Sequence, residues 1–129
     1  MPDATAIEER EIEIIIPVFY GRVRRDPLIG PVFNDAIDDW DHHLGKLVAF
    51  WSSIMRTSGR YKGNPTAAHL KHKLRLEPRM FDRWLALWRE VTSELVPGPR
   101  AEALQEKADR IAQSLQLALW FRVPDASPA

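Results

Sequence analysis

His69, Tyr20 and Trp84 are the residues best equipped for chemistry: an imidazole that follows a Gly/Pro-rich loop, a phenol and an indole. An imidazole can ligate a metal, and each of the other two carries a single polar donor on a wide apolar body. Around them fall Phe19, Phe33, His43, Phe50, Trp51, Phe81 and Trp88, in a chain of only 129 residues. So many wide rings exceed what a small core needs. An oversized apolar pocket with a few aimed polar groups is instead the mark of a bound flat cofactor. An imidazole on one side of it would then hold a metal.

Haem satisfies both conditions. Its iron needs at least one strong axial ligand, and neutral imidazole is the usual protein choice. His69 is the leading candidate, because Ala67 and Ala68 beside it leave room for a flat ring. His72, three residues on, is the alternative ligand, or the two together could bind zinc; no acidic or cysteine partner stands at a matching spacing. Tyr20 and Trp84 would face a diatomic ligand from the other side. A buried donor without a partner costs about 1–3 kcal/mol, and oxygen held on iron carries partial negative charge, so it is an acceptor. A hydrogen bond to a charged group is worth about 1.5–3 kcal/mol, roughly ten- to hundredfold in affinity. His43 shares a helix face with Leu47 and Trp51 and could gate entry or add a donor, while His42 points elsewhere on the helix. Phe33, after a tight turn, could stack on the porphyrin. Lys46, Tyr61 and Arg75 could meet the propionates at the pocket mouth. Trp51 and Trp88 read as core.

The elements that must position these residues are helices set off by proline and glycine. The first runs from about Ile7 to Arg25, with Pro17 expected to break it or to open a fresh segment. Ile29-Gly30-Pro31 reads as a turn that delivers Val32 and Phe33. A second helix spans about Asp38 to Thr57, capped by Asp38 or Asp39, with Trp40, His43, Leu44, Leu47, Trp51 and Met55 on one face. The loop from Ser58 to Pro65 leads to a short helix, about Thr66 to Lys73, that carries His69. A helix from about Pro78 to Leu95 puts Phe81, Trp84, Trp88 and Val91 on one stripe. The last, about Arg100 to Arg122, turns Leu104, Ala108, Ile111, Leu115 and Leu119 inward. No strand pair stands out, so the class is all-α. One domain is expected over 7–122, with disorder at 1–6 and 123–129.

Composition narrows the function. Hydrophobic residues make up 45% of the chain, enough for a core. Eighteen basic residues balance eighteen acidic ones, so no net field draws the chain to nucleic acid or anionic lipid. There is no cysteine, which excludes disulfides, thiolate nucleophiles, iron–sulfur clusters and cysteine zinc sites. No apolar run is long enough to span a membrane. The N-terminal stretch is acidic and lacks a secretory pattern, so a cytoplasmic location is expected.

The chain resembles the truncated haemoglobins, specifically their third group. The resemblance rests on four stretches in register: Phe19-Tyr20 through Asp26-Pro27 to Pro31-Val32-Phe33; Asp39-Trp40 through His43 and Leu47 to Phe50-Trp51; Gly59 through Tyr61, Gly63 and Pro65 to His69-Leu70; and Phe81 to Trp84-Leu85. They cover about residues 10 to 122. The Gly-Gly pairs of the other two groups are absent, as in the third group. The resemblance implies a shortened globin fold, a two-over-two helical sandwich around haem b. It implies His69 as the proximal ligand, Tyr20, His43 and Trp84 on the distal side, Phe33 against the haem and Leu47 over it. Pro17, His42 and His72 depart from the pattern.

The function expected is binding of oxygen, nitric oxide or carbon monoxide at ferrous iron. Two polar donors favour retention over delivery, which points to redox chemistry on nitric oxide or peroxide. Turnover would need an outside, unidentified electron donor. The rival from another class is a haem-free helical interaction module; a helix-turn-helix regulator is disfavoured by the neutral charge and the lack of a basic recognition helix.

Overall fold

The computed structural model describes residues 4–120, and among them every regular element is helical. Helix α1 spans Glu9–Arg25, α2 Gly30–Ala36, α3 Trp40–Arg56, α4 Pro65–Leu70, α5 Pro78–Leu95 and α6 Pro99–Leu119, with a 3-10 turn at Lys73–Arg75. Of the two stretches expected to be disordered, 1–3 and 123–129 lie outside the described residues; residues 4 and 5 form a turn.

Helix α1 buries Ile12, Ile15, Ile16, Phe19, Tyr20 and Val23, a stripe at steps of three and four. Pro17 does not break it. A proline in a helix deprives the carbonyl four residues earlier of its partner. Here Pro17 and Glu13 are both on the exposed face, so water can replace the lost donor and the buried stripe holds the helix together.

The segment read as a turn at Ile29-Gly30-Pro31 is the start of α2 instead. Pro31 is at home in a first helical turn. Gly30 is buried against the end of α1, where a Cβ would lie 2.7 Å from the carbonyl oxygen of Arg24. Only glycine lets the two helices cross so closely. The Asp26 carboxylate locks the corner: it accepts from the backbone N–H of Leu28 (3.0 Å) and Ile29 (3.1 Å) and from Arg83 Nε on α5 (2.7 Å).

Asp39 caps α3 by accepting from the His42 N–H at 3.1 Å. Asn64 caps α4 in the same way through the Ala67 N–H, also at 3.1 Å. The loop between them is tied down at several points. Tyr61 N–H donates to Ser53 Oγ at 2.8 Å, the Ser52 and Ser58 hydroxyls are hydrogen-bonded at 2.8 Å, and Arg60 pairs with Glu9.

Helix α1 packs against α3 and α5, α5 pairs with α6, and α4 rests on α6. The result is two helix pairs, α1 with α3 and α5 with α6, joined through the α1–α5 contact. The core at the crossing contains Phe19, Trp51, Trp88, Val91 and Leu104, all nearly inaccessible. Trp51 and Trp88 stack at 4.4 Å with planes 18° apart, and Trp88 Nε1 donates to the Leu104 carbonyl at 3.1 Å. Their place in the core satisfies both burial and the indole donor. A smaller cluster of Phe81, Ala112, Leu115 and Leu119 lies apart from it. Among the described residues, no helix is long and apolar enough to cross a membrane.

Candidate functional site: a cavity between the helix pairs

Between the two pairs lies a cavity of ≈ 370 Å³, within the range of small-molecule and cofactor sites. Helices α1 and α5 contribute Tyr20 and Trp84, α3 contributes His43, Lys46, Leu47, Phe50 and Trp51, and α2 contributes Val32, Phe33 and Ala36. On the other side are Pro65, Ala68 and His69 of α4, with Ile111, Ala112 and Leu115 of α6. Apolar side chains dominate, and the polar groups are few.

His69 is held from within its own helix. Its Nδ1 lies 2.7 Å from the carbonyl oxygen of Pro65, four residues back. A carbonyl can only accept, so Nδ1 carries the proton and Nε2 is left with its lone pair free. Burial pushes the His69 pKa down; the Pro65 hydrogen bond opposes that and the nearby His72 adds to it, for a net lowering. The ring is therefore neutral at neutral pH, the state a metal requires. Phe81 lies beside it, ring centres 6.5 Å apart. His72 also lines the cavity, whereas His42 is exposed and outside the lining. Among the described residues no group of three or more His, Asp or Glu converges on a common point, so His69 and His72 have no third protein ligand with which to cage zinc.

Across the cavity, Tyr20 sits edge-on to Phe19 (4.7 Å) and Phe33 (5.8 Å), within 6.4 Å of the His43 ring. Trp84 is edge-on to Phe19 at 5.7 Å and parallel to Trp88 at 6.2 Å. The Trp84 indole stands close enough to the Tyr20 phenol to favour its ionised form. An indole N–H can only act on that oxygen as a donor, so the phenolic proton is left for another acceptor. Burial pushes the Tyr20 pKa up to about 12, with the smaller influence of Trp84 acting the other way. The phenol thus stays protonated across the physiological range and remains a donor. Burial, assisted by the charges of Lys46, His42 and His69, lowers the pKa of His43, so it too is neutral.

Of the candidate mouth residues, Lys46 and Tyr61 line the cavity and Arg75 does not. The Arg75 guanidinium is paired with Asp35 at 3.0 Å. Lys71, not singled out from the sequence, lines the cavity instead. Tyr61 lies against Phe50 (5.2 Å) and is packed so closely over Gly63 that a Cβ there would collide with its ring. The wall residues Ile29, Ile37, Leu76 and Met80 carried no signal in the sequence. Those of α6 were visible only as an inward face.

A two-over-two helical sandwich enclosing an apolar chamber is the architecture of a truncated globin. Comparison with known proteins agrees. The chain is 31% identical over 121 residues to the group 3 truncated hemoglobin of Campylobacter jejuni, an alignment covering 88% of this chain and 92% of that one. It also superposes on the crystal structure of the group III truncated hemoglobin from Campylobacter jejuni with a TM-score of 0.81, at 29% identity over the same shares of both chains. No family model matches it. The chain belongs to the third group of truncated haemoglobins, and membership brings with it the general character of that family as haem-carrying, gas-binding globins.

Proposed function

We propose that the cavity holds haem b, that His69 is the axial ligand, and that oxygen or another diatomic gas (nitric oxide or carbon monoxide) binds on the Tyr20 side. The observation that carries this reading is the hydrogen bond from His69 Nδ1 to the Pro65 carbonyl at 2.7 Å. It fixes the tautomer and leaves Nε2 unprotonated on a side chain that lines the cavity. The rest of the chamber fits a flat apolar ring. Phe33 and Leu47 offer apolar faces, while Lys46, Tyr61 and Lys71 offer polar contacts for carboxylates.

When bound, haem supplies the iron on which a diatomic gas can sit and whose oxidation state can change. The chain supplies the rest. The Trp84 indole beside the Tyr20 phenol polarises it and strengthens the bond that Tyr20 O–H can offer a guest. His43 stands at the edge of that pair, neutral and able to donate or accept. The apolar wall keeps bulk water away and so raises the worth of each polar contact. Donors of this kind slow the departure of a polarised guest. That suits redox chemistry on nitric oxide or peroxide better than oxygen delivery, with electrons from an external donor in the cytoplasm.

Optical spectra of the purified protein, oxidised, reduced and with carbon monoxide, test the reading. A Soret band in all three is expected, and His69→Ala is expected to lose haem or to need added imidazole to keep it. An unchanged spectrum in that variant would move the ligand to His72. Colourless protein that takes up no hemin would leave a haem-free helical interaction module.

A further inference from the structure

Beside the end of α1, the surface carries a groove of ≈ 540 Å³ lined by Gly21, Arg24, Arg25, Asn34, Ile37 and Trp40. Ile37 is the one residue that lines both this groove and the internal cavity. Ile37 therefore borders both the surface groove and the chamber that holds Tyr20 and His43.

The frame around Ile37 is anchored. Asn34 Nδ2 donates to the Arg24 carbonyl at 3.1 Å and ties α2 to the end of α1. The Trp40 ring lies under the Arg24 guanidinium at 4.6 Å and against the rings of Tyr20 (6.1 Å) and His43 (5.8 Å). Ile37 itself is not in a helix. It follows α2, half-buried and extended (φ −116°, ψ 116°), and its N–H is still bonded to the Phe33 carbonyl at 3.0 Å. A helix-flanking residue between two fixed walls can change rotamer, or shift with its linker, without disturbing the core. Its β-branched side chain has few rotamers, which suits discrete open and closed positions.

We propose that Ile37 is a shutter between the groove and the cavity, and that small linear ligands reach the Tyr20 side past it rather than only through the mouth at Lys46 and Tyr61. The two arginines and the absence of any acidic side chain from the groove's lining make its outer end favourable to small anions as well as to neutral gases. The inference rests on the haem reading above only for its optical readout.

The test measures carbon monoxide association by flash photolysis in the haem-loaded wild type, Ile37→Ala and Ile37→Trp. The alanine should speed association and the tryptophan slow it, with a spread of about one decade or more between them. Arg25→Glu should leave carbon monoxide association unchanged and slow azide association. Crystals under xenon pressure give a readout independent of the iron. In crystals flash-cooled after brief exposures at one pressure, xenon should fill the chamber of Ile37→Ala sooner than that of Ile37→Trp. Normal Soret bands with equal rates and equal xenon filling times in both variants would overturn the shutter alone. Failure of the wild type to bind hemin would overturn the haem reading, and the xenon series would still decide the passage. Slower azide together with slower carbon monoxide in Arg25→Glu would show that the arginine shapes the passage rather than steering anions.

Discussion

On the Tyr20 side of the cavity the polar groups hang from α1 and α5, helices of 17 and 18 residues that cross in the middle of the core. On the other side His69 hangs from α4, six residues long, with none of them buried. The same cavity thus has one wall whose geometry is set by the global fold and another set by local contacts. For Tyr20 and Trp84, moving means breaking the core. For His69, moving means losing a cap, a proline-started turn, one hydrogen bond and the contact with α6. Local opening is cheap where few apolar contacts hold an element. The donors are therefore rigid before any ligand arrives, whereas the imidazole gains much of its order from what it ligates.

Removing one core ring should expose this contrast most strongly. Phe19 is fully buried and touches Tyr20, Trp84 and Trp88 edge-on. Phe19→Ala should cost about 3–5 kcal/mol in urea unfolding and loosen both donors together. Leu70→Ala, on the half-exposed α4, should cost under about 0.5 kcal/mol. Equal losses would show that the two walls are built alike.

Asp26 gives the next effect, again on the Tyr20 side. Its side chain is 3% exposed, and it joins the α1–α2 corner to Arg83 of α5. Burial alone would raise its pKa, but the hydrogen bonds from Arg83, Ile29 and Leu28 and the charge of Arg83 outweigh it, and the net shift is downward. A carboxylate whose pKa is lower folded than unfolded contributes stability above the unfolded value of about 3.9. That contribution fades as pH falls through the folded value. Asp26→Asn should therefore cost about 1.5–3 kcal/mol near neutrality. The gap from the wild type should close as the pH drops below about 4. A gap that persisted unchanged in acid would assign the loss to packing rather than to charge.

The contrast between the walls also explains what the sequence could disclose. Periodicity placed Trp84 on one stripe of α5, whereas Tyr20 stood out by type and resemblance; the buried stripe of α1 shows its helical spacing only in the structure. Pro17 misled because its cost depends on whether the orphaned Glu13 carbonyl faces water, which a proline does not announce. Periodicity shows that Ile111, Ala112 and Leu115 face inward but not that they face a cavity instead of another helix. Arg75 was a reasonable propionate partner by type, yet its charge is taken by Asp35 across the fold. Ile37 lies in a linker with no period at all. The two donors were each expected to seek an acceptor in the guest; that the Trp84 indole stands beside the Tyr20 phenol depends on how α1 and α5 cross.

That placement makes the two donors unequal. Tyr20→Phe removes the donor whose proton is left for a guest. Trp84→Phe removes only the polarising neighbour. In stopped-flow oxygen release, Tyr20→Phe should accelerate the off-rate by roughly tenfold or more, and Trp84→Phe by a smaller factor. A larger effect from Trp84→Phe would mean that the indole donates to the guest itself.

Asn64 should give the smallest effect on stability and the sharpest test of the other wall. Its side chain accepts from the Ala67 N–H at 3.1 Å and is the only side-chain cap of α4. Replacing such a cap with alanine costs about 1 kcal/mol of helix stability. Because no residue of α4 is fully buried, that loss should be local. Asn64→Ala should leave the urea midpoint nearly unchanged while hydrogen exchange of the α4 amides speeds up by about fivefold, the factor set by about 1 kcal/mol. Haem should also transfer faster to a competing acceptor, since the Pro65 carbonyl that orients His69 belongs to the turn Asn64 caps. A fall in global stability equal to the local loss would show α4 folding with the core, and the division between the two walls would not survive it.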